Sequence, residues 1–154
     1  MKPALICIAV TVFLVGVLVF VYNGRHQPAP KTYWKDTGIA CLPNGHQNLA
    51  MHIHATLEIF VNGNQEVIPA NIGVTNDCLA EVHTHEANNL IHIETGEPSE
   101  PFTLGDFYRV WEQDSNRLDL GLEMFVNGQK VQGPPDAIVL EDGQKVRLEY
   151  TSAH

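Results

Sequence analysis

The chain has 154 residues, which is room for one domain of ordinary size, and a formal net charge of −9. Residues 1–35 hold four of the nine Lys and Arg and no acid, so residues 36–154 carry five basic and eighteen acidic side chains. This acidic balance argues against binding nucleic acid, which requires a basic surface, and favours the attraction of cations.

The N-terminal segment predicts a membrane anchor. Residues 4–22 form an apolar run without charge, close to the length of about 20 residues that crosses a bilayer. The end of the run, Val21-Tyr22-Asn23-Gly24, makes a poor cleavage site for a signal peptidase. An uncleaved anchor at residues 1–24 is therefore favoured over a cleaved signal peptide.

Residues 25–48 are rich in Gly and Pro without periodicity, which predicts a stalk leading into a domain at residues 49–154. Cys41 and Cys78 form an even pair of the kind that oxidising compartments favour, so a disulfide and an extracytoplasmic domain are expected. The alternatives are two free thiols or a thiolate ligand. The basic residues that follow the anchor favour the opposite topology by the positive-inside rule.

A seven-residue segment occurs twice. Residues 57–63 and 122–128 match at six of seven positions, and each copy is an alternating strand that ends in Asn-Gly. Asn-Gly is the strongest short signal for a β-hairpin. Only the first copy is preceded by histidines, so we interpret the hairpin as a scaffold and the histidines as an addition to it.

The remaining segments complete a predicted α+β fold. Residues 80–85 and 90–95 predict a hairpin, and residues 103–111 predict a helix with a capping box and an apolar stripe. Residues 137–140 and 145–151 predict a last strand pair. The order favours a small mixed sheet of hairpins with one helix, β-grasp-like; the alternative is a cupredoxin-like β-sandwich.

Three segments share the same spacing of metal-binding side chains. The pairs are His52 with His54, His83 with His85, and His92 with Glu94. Residues two apart on a strand point to the same face, so each pair places two donor atoms side by side. In all three segments the donor residues alternate with apolar residues, so the donors lie on the opposite face of the strand from the apolar side chains. The pattern predicts a metal site on a sheet.

The donor types favour copper or zinc over calcium or magnesium, because imidazoles dominate the set. Glu86 is a further candidate oxygen donor beside Glu94. A blue-copper site is disfavoured, because its characteristic Cys-His-Met run is missing near the end of the chain. The cupin motif does not fit either, because position 77 is Asp rather than Gly and Glu94 lies eight residues beyond His85.

Five short motifs occur in order over residues 50 to 112: Met-His-Ile-His, Ile-Pro-Ala-Asn-Ile-Gly, His-Thr-His-Glu, Ile-His-Ile-Glu and Phe-Thr-Leu-Gly. In these the chain resembles a family of His-rich bacterial and archaeal domains, membrane-anchored or exported, that have no assigned activity. The resemblance implies a shared fold and a shared metal site.

Three functional hypotheses remain. No Ser-His-Asp arrangement or phosphate-binding loop is recognisable, so a membrane-tethered, extracytoplasmic binding domain for copper or zinc is favoured over an enzyme. The alternatives are a metal-dependent enzyme with an open coordination position, and a metal-free structural subunit of a membrane complex. The predicted partners are the metal ion and the membrane.

Overall fold

The computed structural model describes residues 31–42, 44–97, 101–117 and 120–152. The predicted anchor at residues 1–24 lies outside these ranges. Within the part of the chain that the structure describes, no helix is long and apolar enough to cross a membrane.

The described strands form one mixed sheet. They are β1 (Met51–Val61), β2 (Asn64–Glu66), β3 (Val82–His83), β4 (Leu90–Thr95), β5 (Leu120–Val126), β6 (Gln129–Val131) and β7 (Gln144–Ser152). Their order is β3-β4-β1-β7-β5-β6, with β2 also paired to β1. Only β1 and β7 are parallel. The predicted α+β class with a mixed sheet is confirmed, whereas the sandwich alternative requires a second facing sheet, which the described strands do not form.

The helix α1 (Leu104–Trp111) begins as predicted. The Thr103 side chain accepts a hydrogen bond from the Asp106 backbone N–H, and the Asp106 carboxylate accepts one from the Thr103 backbone N–H, which completes the capping box. Glu112 ends the helix in the left-handed conformation. Phe107 and Tyr108 are buried in the same core cluster as the strands. The strand predicted at residues 137–140 is not formed: Pro135–Ala137 is a short 3₁₀ helix, and Val139 makes an isolated bridge with Thr103 instead of pairing with β7.

One face of the sheet forms the core and the other is polar. Leu57 and Ile59 of β1 and Leu148 of β7 are buried on the core face. The segment before β1, residues 31–50 without the undescribed Pro43, is called the N-terminal arm below. The arm adds Trp34 and Ile39 to the core.

The two copies of the repeat lie on either side of β7. β1 runs parallel to β7 and β5 runs antiparallel to it. Both turns have positive φ at the asparagine, 49° at Asn62 and 51° at Asn127, as the Asn-Gly signal predicts. Asn62 Oδ1 accepts a hydrogen bond from Ser152 N–H at 2.9 Å, and Asn127 Oδ1 accepts one from Lys145 N–H at 2.9 Å. The copies therefore cap opposite ends of β7.

A disulfide joins Cys41 to Cys78, as predicted, with 5.2 Å between the Cα atoms. Cys41 also pairs with Ala80 in an isolated antiparallel bridge, and Leu42 N–H donates to Leu79 O at 2.8 Å. The disulfide and these backbone contacts fasten the N-terminal arm to the segment that leads into β3.

The strand predicted at residues 80–85 is shorter than expected, because β3 covers only Val82–His83. Thr84 turns away from β4 and bonds to an earlier loop instead. Its backbone N–H donates to Ile72 O at 3.0 Å, and its buried hydroxyl donates to Pro69 O at 2.9 Å and accepts from Ile72 N–H at 3.1 Å. The chain therefore leaves the sheet between the two histidines of the second pair.

Candidate metal centre

The strand register brings the three predicted pairs together. His52 of β1 lies opposite Glu94 of β4, and His54 lies opposite His92. His83 of β3 lies opposite His92 from the other side. Because directly opposed residues share a face of the sheet, these five side chains form one cluster across three adjacent strands.

His85 follows β3 and still joins the cluster. Its Nε2 lies 3.0 Å from Nε2 of His83. His83 Nδ1 donates to Ala80 O at 2.8 Å, which leaves the lone pair of a neutral His83 on Nε2. Two imidazole nitrogens bound to one zinc or copper ion lie roughly 3 to 3.4 Å apart, since each bond is about 2.0–2.1 Å long. The observed separation matches that of two ligands of one ion.

Burial favours the neutral form of His83, His85 and His92. His83 is fully buried because Gly73, with φ of 75°, lets the backbone approach; a Cβ there would lie 3.1 Å from His83 Cβ. Burial lowers the pKa of both His83 and His92 to about 4. Burial and then the neighbouring His46 lower the pKa of His85. Neutral imidazoles have a free lone pair, which metal binding requires.

His46 is a further member of the cluster that the sequence did not predict. It lies on the N-terminal arm, and its Nδ1 lies 2.7 Å from Glu94 Oε2. Its ring centroid is 5.0 Å from that of His85. No strand periodicity surrounds His46, so its only sequence signal was its position five residues after Cys41, which the disulfide brings to the second pair.

Glu94 lies at the centre of the cluster and is fully buried. Besides His46 at Oε2, it has His52 Nε2 3.1 Å from Oε1, too poorly aligned for a hydrogen bond. Glu94 Oε1 and His92 Nδ1 are both buried without a hydrogen-bond partner among the described residues. Buried polar atoms are normally satisfied, so these two exceptions in one cluster lack partners that a bound ligand would supply, and the donor set fits a metal ion.

Three groups in the described chain have donor atoms within 4.8 Å of one another, and between them they include every predicted ligand. They are His46, His83 and His85; His52, His54 and His92; and His83, His92 and Glu94. Glu86, the other candidate oxygen donor, is in none of them; its carboxylate accepts a hydrogen bond from Asn88 Nδ2 at 3.2 Å.

Comparison with known proteins gave no match. Neither a protein-family model, nor a curated protein, nor a solved structure is similar enough to this chain to indicate its family or activity.

Proposed function

We propose that this protein is a membrane-tethered, extracytoplasmic domain that binds copper or zinc and serves in metal handling. The observation that carries the proposal is the cluster itself, in which six imidazoles surround one buried carboxylate. The clustered histidines come from four separate segments of the chain. Sheet register alone would not bring His46 and His85 there.

The chemistry of the donors supports copper or zinc. Both described cysteines are in the disulfide, so the described donors are imidazole nitrogens and carboxylate oxygens only. Imidazole suits zinc and copper, whereas calcium and magnesium prefer a shell of oxygens. Without a thiolate in the set, Cu(II) or Zn(II) is the better occupant than Cu(I).

The exposure of His46 and His52 supports metal exchange. The side chains of His46 and His52 are 51% and 44% exposed, while Glu94 between them is fully buried. An ion bound here is reachable from solvent on one side and enclosed on the other. This access from solvent favours a protein that takes up or passes on its metal.

Compartment and fold detail are inferred from separate features. The disulfide is typical of an oxidising compartment, and the apolar run at residues 4–22 has the length of an anchor. The first and last strands, β1 and β7, are parallel neighbours inside the sheet, which supports the β-grasp-like arrangement. The motif resemblance to exported and membrane-anchored His-rich domains supports a metal site and a location outside the cytoplasm.

Metal binding by the purified 154-residue chain tests the proposal. We expect tight binding of Cu(II) or Zn(II) that is severely weakened by His83→Ala with His85→Ala. Glu86→Gln is the matched control, because Glu86 is adjacent in sequence and outside the ligand groups. Only trace metal in the wild-type chain, or equal binding by the double variant, would refute the proposal. Circular dichroism verifies that each variant is folded.

A further inference from the structure

We infer that the cluster is a two-metal centre in which the carboxylate of Glu94 bridges the two ions. The inference deepens the proposed function and rests on it. It starts from the number of donors. Six imidazoles and one carboxylate exceed the four ligands of a typical zinc site, so a single ion leaves several histidines unused.

The six histidines divide into two trios without a shared member. The inner trio is His46, His83 and His85, and the outer trio is His52, His54 and His92. Within each trio the donor atoms lie within 4.8 Å of one another. The trios are also adjacent, since the rings of His83 and His92 stack with centroids 5.4 Å apart. Each trio supplies three ligands for one ion, which is the usual number of protein ligands at an open site.

Glu94 extends from one trio to the other. Its Oε2 lies 2.7 Å from Nδ1 of His46 in the inner trio, and its Oε1 lies 3.1 Å from Nε2 of His52 in the outer trio. Each oxygen therefore faces a different trio. Carboxylates bind metal ions through both oxygens, and protein sites with two metals place the ions about 3.5 to 4 Å apart.

The burial of Glu94 supports the same assignment. Its only ion-pair partners among the described residues are these two histidines; no Lys or Arg lies within reach. A fully buried carboxylate is costly unless it is paired or bound to a metal. Two divalent cations, one at each oxygen, would compensate its charge, and they would also satisfy Oε1, which has no hydrogen-bond partner.

Stoichiometry and magnetic coupling test the inference on the 154-residue chain. Native mass spectrometry after loading with Cu(II) or Zn(II) is expected to show two ions per chain. With copper, electron paramagnetic resonance is expected to show a half-field transition and reduced intensity per ion, because two Cu(II) ions at this separation couple. In Glu94→Gln we expect the second ion to bind at least about tenfold more weakly and the coupling to be lost.

Variants in each trio provide independent readouts should Glu94→Gln fail to fold. His85→Ala and His54→Ala each remove one partly exposed ligand, and each is expected to reduce the count from two ions to one. Glu58→Gln, on the same face of β1 and outside the ligand groups, is expected to retain both. One ion in the wild-type chain, or two copper ions without coupling, would overturn the two-metal centre and leave the proposed function intact. An absence of any metal would overturn both.

Discussion

The two hairpins built from the repeated segment show where the function lies. Both contribute a strand next to β7, and both cap it with the side chain of the turn asparagine. They differ at their N-terminal ends. β1 extends to Met51, and its residues 51–56 pair with β4, whereas β5 pairs with β6 and β7 and with no other described strand.

The candidate metal ligands of β1 lie only in that extension. His52 and His54 precede the repeated segment and face His92 and Glu94 across the β1–β4 pair. The polar face of the second hairpin carries Glu123, which matches Glu58 of the first, so the two copies share this residue and differ in the histidines that precede the first copy. The repeated hairpin thus carries no candidate ligands on one side of β7, whereas on the other side its extension carries two. The following predictions test this division from the largest expected effect to the smallest.

Removal of the Cys41–Cys78 disulfide, which fastens the N-terminal arm beside the cluster, is expected to have the largest effect on stability. Cys41→Ser with Cys78→Ser should lower the free energy of unfolding by about 4 kcal/mol, since a crosslink over 37 residues restricts the unfolded chain strongly. Urea denaturation measures this loss. Hydrogen exchange should show faster opening of the N-terminal arm with little change in the β5–β6 hairpin. Equal stability of the two forms would contradict the prediction.

Leucines at matching positions of the two copies should differ in their contribution to stability. Leu57 is 1% exposed, whereas Leu122 is only partly buried. Leu57→Ala should therefore cost about 3 kcal/mol, and Leu122→Ala about 1 kcal/mol. Chemical denaturation of the two variants measures both values. Equal costs would mean that the two hairpins contribute equally to the core.

The histidines of the extension should contribute to metal affinity, and the polar side chains of the second hairpin should not. His52→Ala with His54→Ala is expected to weaken binding of one ion at least about 100-fold, or about 2.7 kcal/mol, by isothermal titration. Glu123→Ala with Lys130→Ala is the control on the other hairpin, where the two side chains form an exposed ion pair. Weaker metal binding by the control would place ligands outside the cluster.

Substitution of either turn asparagine should reduce stability by a similar amount, because both side chains cap β7. Glycine tolerates the positive φ of these turns, so Asn62→Gly and Asn127→Gly remove the side-chain hydrogen bond without adding backbone strain. Each is expected to cost about 1 kcal/mol by thermal or chemical unfolding, and neither should change metal affinity. An effect in only one hairpin would show that the repeat is similar in sequence and unequal in structure.

The sequence was sufficient to predict features that depend on residues close to one another along the chain. Alternation identified most of the strands and the shared face of His52 and His54, although residues 137–140 do not form the predicted strand. The capping box at Thr103 located the helix. The sequence did not predict the early end of β3, because Thr84 bonds to a loop twelve residues upstream. Nor did it predict His46, which only the folded arm brings to Glu94. Periodicity indicates which face a side chain occupies but not what covers that face.

The position of β7 has a consequence for the order in which the domain assembles. β7 is the last of the described strands in sequence order, and it lies between β1 and β5. Domains generally begin to fold from the N-terminus while the chain is being made, and pairings between distant segments form late. Until β7 arrives, the half of the sheet with the histidines and the β5–β6 hairpin have no shared strand.

All seven candidate ligands lie between His46 and Glu94, so they are synthesised well before β7, and an interval passes before that strand is available. During that interval the β7-facing edge of β1 has no partner, and an unpaired edge invites association with other chains. A metal ion captured early would hold β1 against β4 while the core is still open. Completion of the domain waits for the nine residues of β7, which close both edges in one step.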